Sequence, residues 1–405
     1  MSTAPRVRAI RHVTVVDPDD GERLDDRTVV IEEGRVVAVD ADAGRPVAGD
    51  EIDGRGMFAM PGLIDCHVHA LSVTRDLPSL LTGSFTYLGM AAGRLLGQTL
   101  ARGFTTVRDC GGADWGIAMA VREGVVAGPD VVYCGRALSQ TGGQGDARRP
   151  GESAARDRAL PDISRVADGA DAVRAAVRDE ARRGAGFVKL LAEVRSPKGW
   201  RAEYADDEVS AAVDEADTWG IPVTAHAYSP ERVAGLVRLG VHCIEHGNML
   251  DAPTLALMAE RGTDYVPTLG AYRSYAEGEG DRGIGAEEQR WAASMVEHGL
   301  RALEHATRSG TRIGFGTDLT VSHERQNEEF EVRADVQSVP QLLRSATSDA
   351  ARILRCDDRG RISEGARADI VLTRVDPLVD VAALARPVDT HAVVLTSGSV
   401  MVDRR

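Results

Sequence analysis

The sequence predicts an α/β fold: a (β/α)8 TIM barrel with a small β-sandwich domain formed by both termini. Two observations lead to this prediction. The central part of the chain alternates short apolar segments with helical stretches, as expected for parallel strands joined by helical crossovers. Both ends instead contain β-branched runs broken by glycine and aspartate. The chain has 405 residues, 43% of them hydrophobic, which suffices for one large barrel and a smaller domain.

The two ends of the chain have the pattern of short strands joined by turns. Residues 1–60 contain "RAIRHVTVVD", "RTVVIEEGRVVAVDA" and "DEIDGRGMFAM", with a predicted hairpin turn at residues 32–35. Residues 356–405 contain "ADIVLTRVD" and "DTHAVVLTSGSVMVD". We predict that these two parts form one β-sandwich, and the alternative is two unrelated β appendages.

Residues 61–355 are predicted to form a metal-binding barrel. Helical stretches such as "ADAVRAAVRDEARRG" and "DDEVSAAVDEADTWG" separate most of the strands, and Asp206 is the predicted N-cap of the second helix. A doubly wound open sheet is the alternative on periodicity, but the chain lacks the glycine-rich dinucleotide loop that would favour it. The predicted strands are "PGLIDCHVH", "FTTVRDC", "DVVYCGRAL", "FVKLL", "IPVTAHA", "CIEHG", "DYVPTL" and "RIGFGTD".

Two stretches are too long and irregular to serve as simple connectors. Residues 139–167 follow the third predicted strand and residues 269–288 follow the seventh. Long loops in a compact domain are usually functional or disordered. Because both stretches follow strands, we expect them at the barrel face where active sites lie.

The composition excludes several classes of partner. A net charge of −14 opposes binding to nucleic acid or to an anionic membrane, and an aromatic share of 4% argues against base stacking. The first residues lack the apolar core of a signal peptide, and no apolar run is long enough to span a bilayer. Five scattered cysteines without a CxxC pair indicate reduced thiols. These features predict a cytoplasmic protein that binds neither nucleic acid nor membrane.

Metal-ligating residue types stand at the ends of four predicted strands. His67 and His69 in "DCHVH" point to the same side of a strand and form half of a metal site. His226 ends "IPVTAHA", His246 ends "CIEHG" and Asp318 ends "RIGFGTD". Each residue alone is more often a packed histidine or a turn aspartate, but five of them at one barrel face predict a metal site. The histidines assigned to surface or structural positions are His12, His242, His298, His305 and His391.

Lys189 ends the fourth predicted strand and is one of only two lysines, with Lys198, among 48 lysine and arginine residues. An ammonium group is a poor neighbour for divalent cations. A primary amine can lose its proton near positive charge and add carbon dioxide, whereas guanidinium keeps its proton. The resulting carbamate is an anion with two oxygen donors, able to bridge two metals. The alternative is a lysine whose ammonium extends to solvent.

These segments together resemble the amidohydrolase superfamily of metal-dependent hydrolases. The resemblance rests on "PGLIDCHVH", "FVKLL", "TAHAYSP", "CIEHG", "GFGTD" and "GRISEGARADIVL", which occur in family order over nearly the whole chain. Within the superfamily the chain is most similar to the branch of imidazolonepropionase-like proteins and metal-dependent Xaa-Pro dipeptidases. That closer similarity rests on "TGGQGD", "AHAY" and the "H…E" run after Asp318.

The resemblance implies two divalent metal ions, usually zinc, and a homo-oligomeric enzyme. Asp318 would orient the attacking hydroxide, accept its proton and pass that proton to the leaving amine. By the family pattern the first metal is held by His67, His69 and Asp318, and the second by His226 and His246, with carboxylated Lys189 bridging them.

Substrate-binding residues are predicted from the same comparison. Tyr228 faces the same side as His226 and could donate a hydrogen bond to the substrate. Gln144 in "TGGQGD" stands where relatives often carry histidine, and His323 matches a histidine that follows the last strand. Glu329 matches the acidic position that follows this histidine, and Glu193 and Val194 are expected to fill pocket space after the lysine. Arg148 and Arg149 are assigned to a solvated loop, and the alternative is that they clamp an acidic group.

The function predicted from these residues is hydrolysis of an amide bond in a small N-acyl amino acid or Xaa-Pro-type dipeptide. A cyclic amide hydrolase of the imidazolone or lactam type is the first alternative. A mononuclear deaminase and a metal-free, non-catalytic assembly protein are the others.

Overall fold

The computed structural model describes residues 6–41, 49–73, 84–148, 151, 163–278, 284–320 and 322–405. Strands dominate the described part of the N-terminal region. The turn between the second and third of them places Glu33 at φ +49° and Gly34 at φ +81°. Two successive positive φ values suit a two-residue hairpin, so the turn predicted at residues 32–35 is confirmed. The strands are β1 (Val7–Val16), β2 (Arg23–Glu32), β3 (Arg35–Asp40), β4 (Asp50–Asp53) and β5 (Phe58–Pro61).

Strands and helices alternate through the central region. The helix Ala170–Arg182, for example, buries an apolar face that contains Val173, Ala176 and Val177. The elements are β6 (Leu63–Val68), α1 (Phe85–Ala101), β7 (Phe104–Asp109), α2 (Trp115–Arg122), β8 (Asp130–Tyr133), β9 (Ala137–Ser139), β10 (Ser164–Val166), α3 (Ala170–Arg182), β11 (Val188–Leu191), β12 (Glu193–Ser196), β13 (Gly199–Ala202), α4 (Asp206–Thr218), β14 (Val223–Ala227), α5 (Pro230–Arg238), β15 (Cys243–His246), α6 (Ala252–Arg261), β16 (Asp264–Val266), α7 (Leu269–Ala276) and α8 (Ala286–Ser309).

Shorter helices and three strands complete the chain. Two 3-10 turns, His323–Glu328 and Val381–Ala385, also lie in this part of the chain. The remaining elements are α9 (Glu329–Arg333), α10 (Val339–Ser345), α11 (Ser348–Ile353), β17 (Ile370–Thr373), α12 (Pro387–Thr390), β18 (His391–Thr396) and β19 (Ser399–Asp403).

The central strands are paired in parallel. One sheet has the order β10-β9-β11-β14-β15-β16 and another the order β6-β7-β8. In the first sheet, Lys189 pairs with Thr224 and Ala227 pairs with His246. Parallel pairing brings the C-terminal ends of these strands to one side, where the predicted ligands lie. The fold is therefore mixed α/β, as the sequence predicts.

The strands from the two ends of the chain lie in one sheet. Its order is β19-β18-β17-β5-β1-β2-β3, with β4 paired to β1. C-terminal β17 pairs with N-terminal β5, so that Leu372 lies opposite Ala59. Residues from both ends, such as Ile10 and Val393, share one apolar cluster. The two ends therefore contribute to a common core.

The predicted eighth strand, residues 312–318, is not a regular strand. It has one isolated bridge, between Ile313 and Tyr265. The Gly314 amide donates to the Tyr265 carbonyl at 2.8 Å, and the Phe315 carbonyl accepts from the Cys66 amide at 2.7 Å. A Cβ at Gly316 would lie 2.3 Å from the Val266 side chain. The glycines allow this close approach, but they weaken regular strand structure.

Other predicted boundaries also differ in the structure. The third strand is divided into β8 and β9, because Gly135 between them has φ +72°. The N-cap of α4 is Ala205 rather than Asp206, and its amide donates to the Glu208 carboxylate at 2.7 Å. Residues 269–288 are not an irregular loop, since they contain α7 and the start of α8. Much of 139–167 lies outside the described residues, and its described end contains β10.

None of the helices within the described ranges is both long and apolar enough to cross a membrane. All five cysteines are free thiols.

Candidate metal centre

His67 and His69 extend from the end of β6 with one ring nitrogen of each already engaged. His67 Nδ1 lies 2.7 Å from the Glu245 carboxylate, and His69 Nδ1 donates to the Gly111 carbonyl at 2.9 Å. Their Nε2 atoms therefore face Asp318, at 3.4 Å from His67 and 3.1 Å from His69. Fixing one nitrogen in this way sets the orientation of a ligating imidazole.

Asp318 follows the irregular segment that packs beside β6. Its amide donates to the His67 carbonyl at 2.8 Å, and its backbone has φ +52°. Burial raises the pKa of its carboxyl, but the neighbouring His67 and His69 outweigh burial and lower the pKa to about 2. The donor atoms of Asp318 and these two histidines lie within 4.8 Å of one another. This group can hold a cation.

His226, His246 and Lys189 come from three neighbouring strands. The rings of His226 and His246 are 4.4 Å apart, and those of His67 and His246 are 5.1 Å apart. His246 Nδ1 is hydrogen-bonded to Thr268 Oγ1 at 2.7 Å. The buried Lys189 Nζ and His226 Nε2 have no hydrogen-bond partner among the described residues. Because buried polar groups are normally paired, these two atoms indicate a missing partner.

The electrostatic setting favours the neutral form of His67, His226 and His246, whereas Asp318 outweighs burial and raises the pKa of His69. Burial lowers the pKa of His67 to about 4, and the positive charge of Lys189 adds to this effect. Burial and Lys189 also hold the pKa of His226 well below its usual value. For His246, burial and the adjacent His226 act in the same direction. A neutral imidazole is the form that binds metals.

Backbone conformation at the site is unusual. His246 has φ +70° and Thr268 has φ +49°, which places two hydrogen-bonded side chains on left-handed backbone. Asp318 shares this conformation. Non-glycine residues rarely adopt it, and it occurs at functional sites where the surrounding structure holds it in place.

The residues that support the predicted ligands were not predicted from the sequence. Glu245 is fully buried and contacts His67 on one side and Arg108 on the other, with Arg108 Nη2 at 2.5 Å. It also accepts from the Thr224 hydroxyl. Its position directly before His246 was the available signal, because a carboxylate inside an apolar strand requires a partner.

Two further buried carboxylates fix the backbone around the site. Asp65 accepts from the His67 amide at 3.0 Å and from the Thr317 hydroxyl at 2.8 Å. Asp109 accepts from the amides of Ala70 and Gly111 at 2.6 and 3.0 Å. These hydrogen bonds hold the segments that carry His67, His69 and Asp318. No role was predicted for either aspartate from the sequence.

Tyr228 lies against the histidines, as its predicted role requires. Its ring stacks on His246 at 5.4 Å and meets His226 edge-on at 4.8 Å. Its hydroxyl accepts from the Tyr272 hydroxyl at 2.7 Å. Burial raises the pKa of Tyr228 well above its usual value despite this hydrogen bond, so the phenol is neutral. Tyr272 was not predicted from the sequence.

The other predicted substrate-binding residues occupy different settings. Gln144 is exposed, and its backbone amide donates to the Glu203 carboxylate at 2.5 Å. His323 is half-buried, and its Nε2 donates to the Ser72 carbonyl at 2.8 Å. Neither has a described side-chain hydrogen bond to the six predicted ligands.

Several secondary candidates have structural partners. Arg148 is paired with Asp146 at 2.6 Å, whereas Arg149 lies outside the described residues. Glu193 does not line free space: it is buried and accepts from the Tyr228 amide at 2.6 Å. Val194 is half-buried on β12. Glu329 is buried and accepts from the Leu269 and Gly270 amides at 3.2 and 2.5 Å.

Comparison with known proteins identifies the class. The model of the amidohydrolase family matches residues 58–400, and the chain therefore belongs to this family. A prolidase solved in complex with N-methylphosphonate-L-proline has 38% identity and a TM-score of 0.93, and the match covers 98% of this chain and 99% of that chain.

Two other relatives are similar over nearly the full length. Ochratoxinase from Aspergillus niger is 27% identical over 401 residues, covering 91% of this chain and 82% of the fungal protein. Its crystal structure superposes with a TM-score of 0.87, 26% identity and coverage of 99% and 97%. A Xaa-Pro dipeptidase with bound methionine in its active site has a TM-score of 0.86, 27% identity and coverage of 97% and 98%. The resemblance predicted from the motifs is confirmed, and the chain is a hydrolase that acts on carbon–nitrogen bonds.

Proposed function

We propose that the protein is a binuclear metal-dependent amidohydrolase that cleaves the amide bond of a small N-acyl amino acid or Xaa-Pro-type dipeptide. The observation that carries this proposal is the convergence of six ligand-type residues in one buried site, with Lys189 Nζ and His226 Nε2 unpartnered among the described residues. Buried polar atoms are usually paired, so these two atoms are available to bind a partner at this cluster.

The proposal includes the architecture of the whole chain. Residues 61–355 would form a closed (β/α)8 barrel, and residues 1–60 and 356–405 a β-sandwich. Backbone hydrogen bonds between segments near the edges of the two central sheets support closure of the barrel. The Gly186 amide donates to the Tyr133 carbonyl at 2.9 Å, and the segment around Phe315 bonds to both Cys66 and Tyr265. A cytoplasmic homo-oligomer is part of the same proposal.

The donor set fits two divalent cations, with zinc as the expected metal. Imidazole and carboxylate are ligands that zinc accepts. A buried ammonium without an acceptor is costly, whereas a Lys189 carbamate would supply two oxygens to the site. The first metal would be held by His67, His69 and Asp318, and the second by His226 and His246, with the Lys189 carbamate shared between them.

Bound divalent cations would lower the pKa of a water molecule and polarise the substrate carbonyl. The chain's own part in the reaction falls mainly to Asp318, which lies within 3.4 Å of both β6 histidines. As a carboxylate it can orient the attacking water and accept its proton. It can then deliver that proton to the leaving amine, which is otherwise a poor leaving group. Tyr228 is positioned beside His226 and His246 to donate a hydrogen bond to the substrate.

The substrate class is supported by two similar proteins of known structure. One similar structure is a prolidase bound to N-methylphosphonate-L-proline, and another is a Xaa-Pro dipeptidase. Both names describe cleavage beside an amino acid. Hydrolysis of a cyclic amide uses the same ligand set and remains the second candidate. A mononuclear deaminase would leave Lys189 buried without a partner, so the geometry does not favour it.

The carbamate can be tested with unusual clarity because the chain has only two lysines. Protein equilibrated with ¹³C-bicarbonate should show one carbamate signal in its carbon NMR spectrum. The signal should disappear in Lys189→Ala and persist in Lys198→Ala, whose lysine lies exposed in the turn between β12 and β13. Metal analysis should give about two ions per chain in the wild type, and fewer in Lys189→Ala only. One ion per chain in all three proteins would refute the binuclear proposal.

Substrate is tested on the same preparations. Turnover of N-acyl amino acids and Xaa-Pro dipeptides by the wild type, with loss in Lys189→Ala, is the expected result. Turnover of lactams or imidazolones without any linear amide hydrolysis would support the second candidate instead.

A further inference from the structure

A two-stranded hairpin adjoins the proposed metal centre. It consists of β12 and β13 and begins four residues after Lys189. Its base is anchored by Glu193, which accepts from the amides of Tyr228 and Ser229 at 2.6 and 2.9 Å. In its register Arg195 lies directly opposite Trp200, so both side chains project from the same face.

That face packs against the elements that follow β14 and β15. The Trp200 ring stacks on Tyr228 with centroids 4.2 Å apart and planes 20° from parallel, and Trp200 Nε1 donates to Met249 Sδ at 2.9 Å. Arg195 lies over the Trp291 ring of α8 at 4.5 Å. Since Tyr228 also stacks on His246, only one ring separates Trp200 from a predicted ligand.

Trp200 is not enclosed by its partners. Its side chain is half-buried, whereas Tyr228 and Tyr272 in the same cluster are buried. A large aromatic ring that is fixed by stacking and hydrogen bonding, yet partly open, can contact a ligand with its open part at low entropic cost.

The hairpin is also locally cationic in a chain of net charge −14. Its exposed charged residues are Arg195 on the face of Trp200, Lys198 in the turn, and Arg201 on the opposite face, which donates to the Gly142 carbonyl at 2.8 Å. Its acidic residue, Glu193, is buried and engaged with Tyr228 and Ser229. A carboxylate-bearing group would therefore be attracted to this side of the site. In the proposed reaction that group is the leaving amino acid.

We infer that Trp200 is a specificity-determining residue that forms the aromatic wall of the subsite for the leaving amino acid, favouring residues with a ring. This inference rests on the proposed function. The indole would stack on the ring of proline or phenylalanine while the hairpin cations attract its carboxylate, and glycine would gain nothing from the wall.

The test compares Trp200→Ala with the wild type on N-acetyl derivatives of phenylalanine, proline, alanine and glycine. The variant should lose about tenfold more kcat/KM on the two ring substrates than on glycine, mainly through KM. Trp200→Phe should restore most of the preference, because it keeps a flat ring. Trp200→Leu, which retains apolar volume, should not restore it.

Trp219→Ala is the matched control, since Trp219 lies at the C-terminal end of α4, before β14 begins. It should leave selectivity unchanged. Metal content and thermal midpoint are measured for every variant. An equal loss on all four substrates, or no loss, would overturn the inference while leaving the proposed function intact. A wild type that hydrolyses none of the panel, nor Xaa-Pro dipeptides, would overturn both.

Discussion

Replacing Glu245 with glutamine should both destabilise the fold and weaken metal binding. Glu245 is fully buried, with Arg108 Nη2 at 2.5 Å and His67 Nδ1 at 2.7 Å. Burial raises the pKa of this carboxyl, but Arg108, Lys189 and His67 together hold it well below its usual value, so Glu245 is charged. Glu245→Gln keeps the shape and removes the charge, which leaves the buried Arg108 guanidinium without a counter-charge.

Removing one partner of a buried ion pair costs about 3–5 kcal/mol, and loss of the carboxylate behind a ligating histidine lowers metal affinity by roughly 10- to 100-fold. Urea denaturation of the metal-free protein measures the first effect, and competition with a zinc chelator measures the second. Glu304→Gln is the control, because Glu304 pairs with Arg308 on the exposed face of α8 and should change stability by about 0.5 kcal/mol or less.

A double variant separates the two contributions. Arg108→Met combined with Glu245→Gln removes both charges and should recover part of the lost stability, without restoring the orientation of His67. The reasoning would be refuted by a Glu245→Gln protein whose urea midpoint and zinc affinity both match the wild type.

Two further predictions concern Asp318, the proposed proton acceptor, and Glu329, a buried glutamate outside the candidate metal site. Asp318→Asn should lower kcat by a factor of about 10²–10⁴ on any substrate of the wild type, because the side-chain amide cannot accept a proton. Steady-state kinetics together with metal analysis checks this. An Asp318→Asn variant with the kcat of the wild type would contradict it. Burial raises the pKa of Glu329 from 4.5 to about 7, despite the nearby Arg333. The folded state thus holds this proton more tightly than the unfolded chain. The stability gained from the protonated Glu329 is complete below pH 4.5 and is lost as the pH rises through about 7. The free energy of unfolding should therefore fall by roughly 3 kcal/mol over this range. Glutamine does not titrate, so the difference in unfolding free energy between wild type and Glu329→Gln should vary over this range and level off above it, whereas a pH-independent difference would refute the shift.

Part of the site was predictable because its chemistry is local. An HxH pair on a strand, or a histidine that ends an apolar run, predicts where a side chain points from the two-residue period alone. Lys189 was singled out by the scarcity of lysine in the chain. The paired strands then bring these residues to one side, as with Ala227 opposite His246.

The residues that support the predicted ligands were not predictable in the same way. Glu245 contacts His67, which lies 178 positions away in the chain. Thr268 is hydrogen-bonded to His246, and both residues have left-handed backbone. Asp65 contacts Thr317 across 252 positions. These partners are set by packing and by backbone conformation, neither of which leaves a local pattern.

The boundary errors have a similar origin. The glycines of "RIGFGTD" read as part of a strand, but they allow a close approach to Val266 that interrupts the regular ladder. The stretch after β16 was read as a loop, yet Glu329 accepts from the first amides of α7 and satisfies donors that the helix cannot bond itself. A distant carboxylate thus supports a helix that local sequence did not indicate.

The sequence by itself determined the family, the alternation of strands and helices, and the six ligand-type residues, because each follows from short-range periodicity and side-chain chemistry. The tertiary structure alone decided which carboxylate orients which histidine, that Lys189 Nζ and His226 Nε2 are buried with no partner in the described chain, and that Trp200 is stacked one ring away from His246. The physical reason is that hydrogen bonds, burial and ring stacking depend on distances between residues far apart in the chain, which only the folded packing sets.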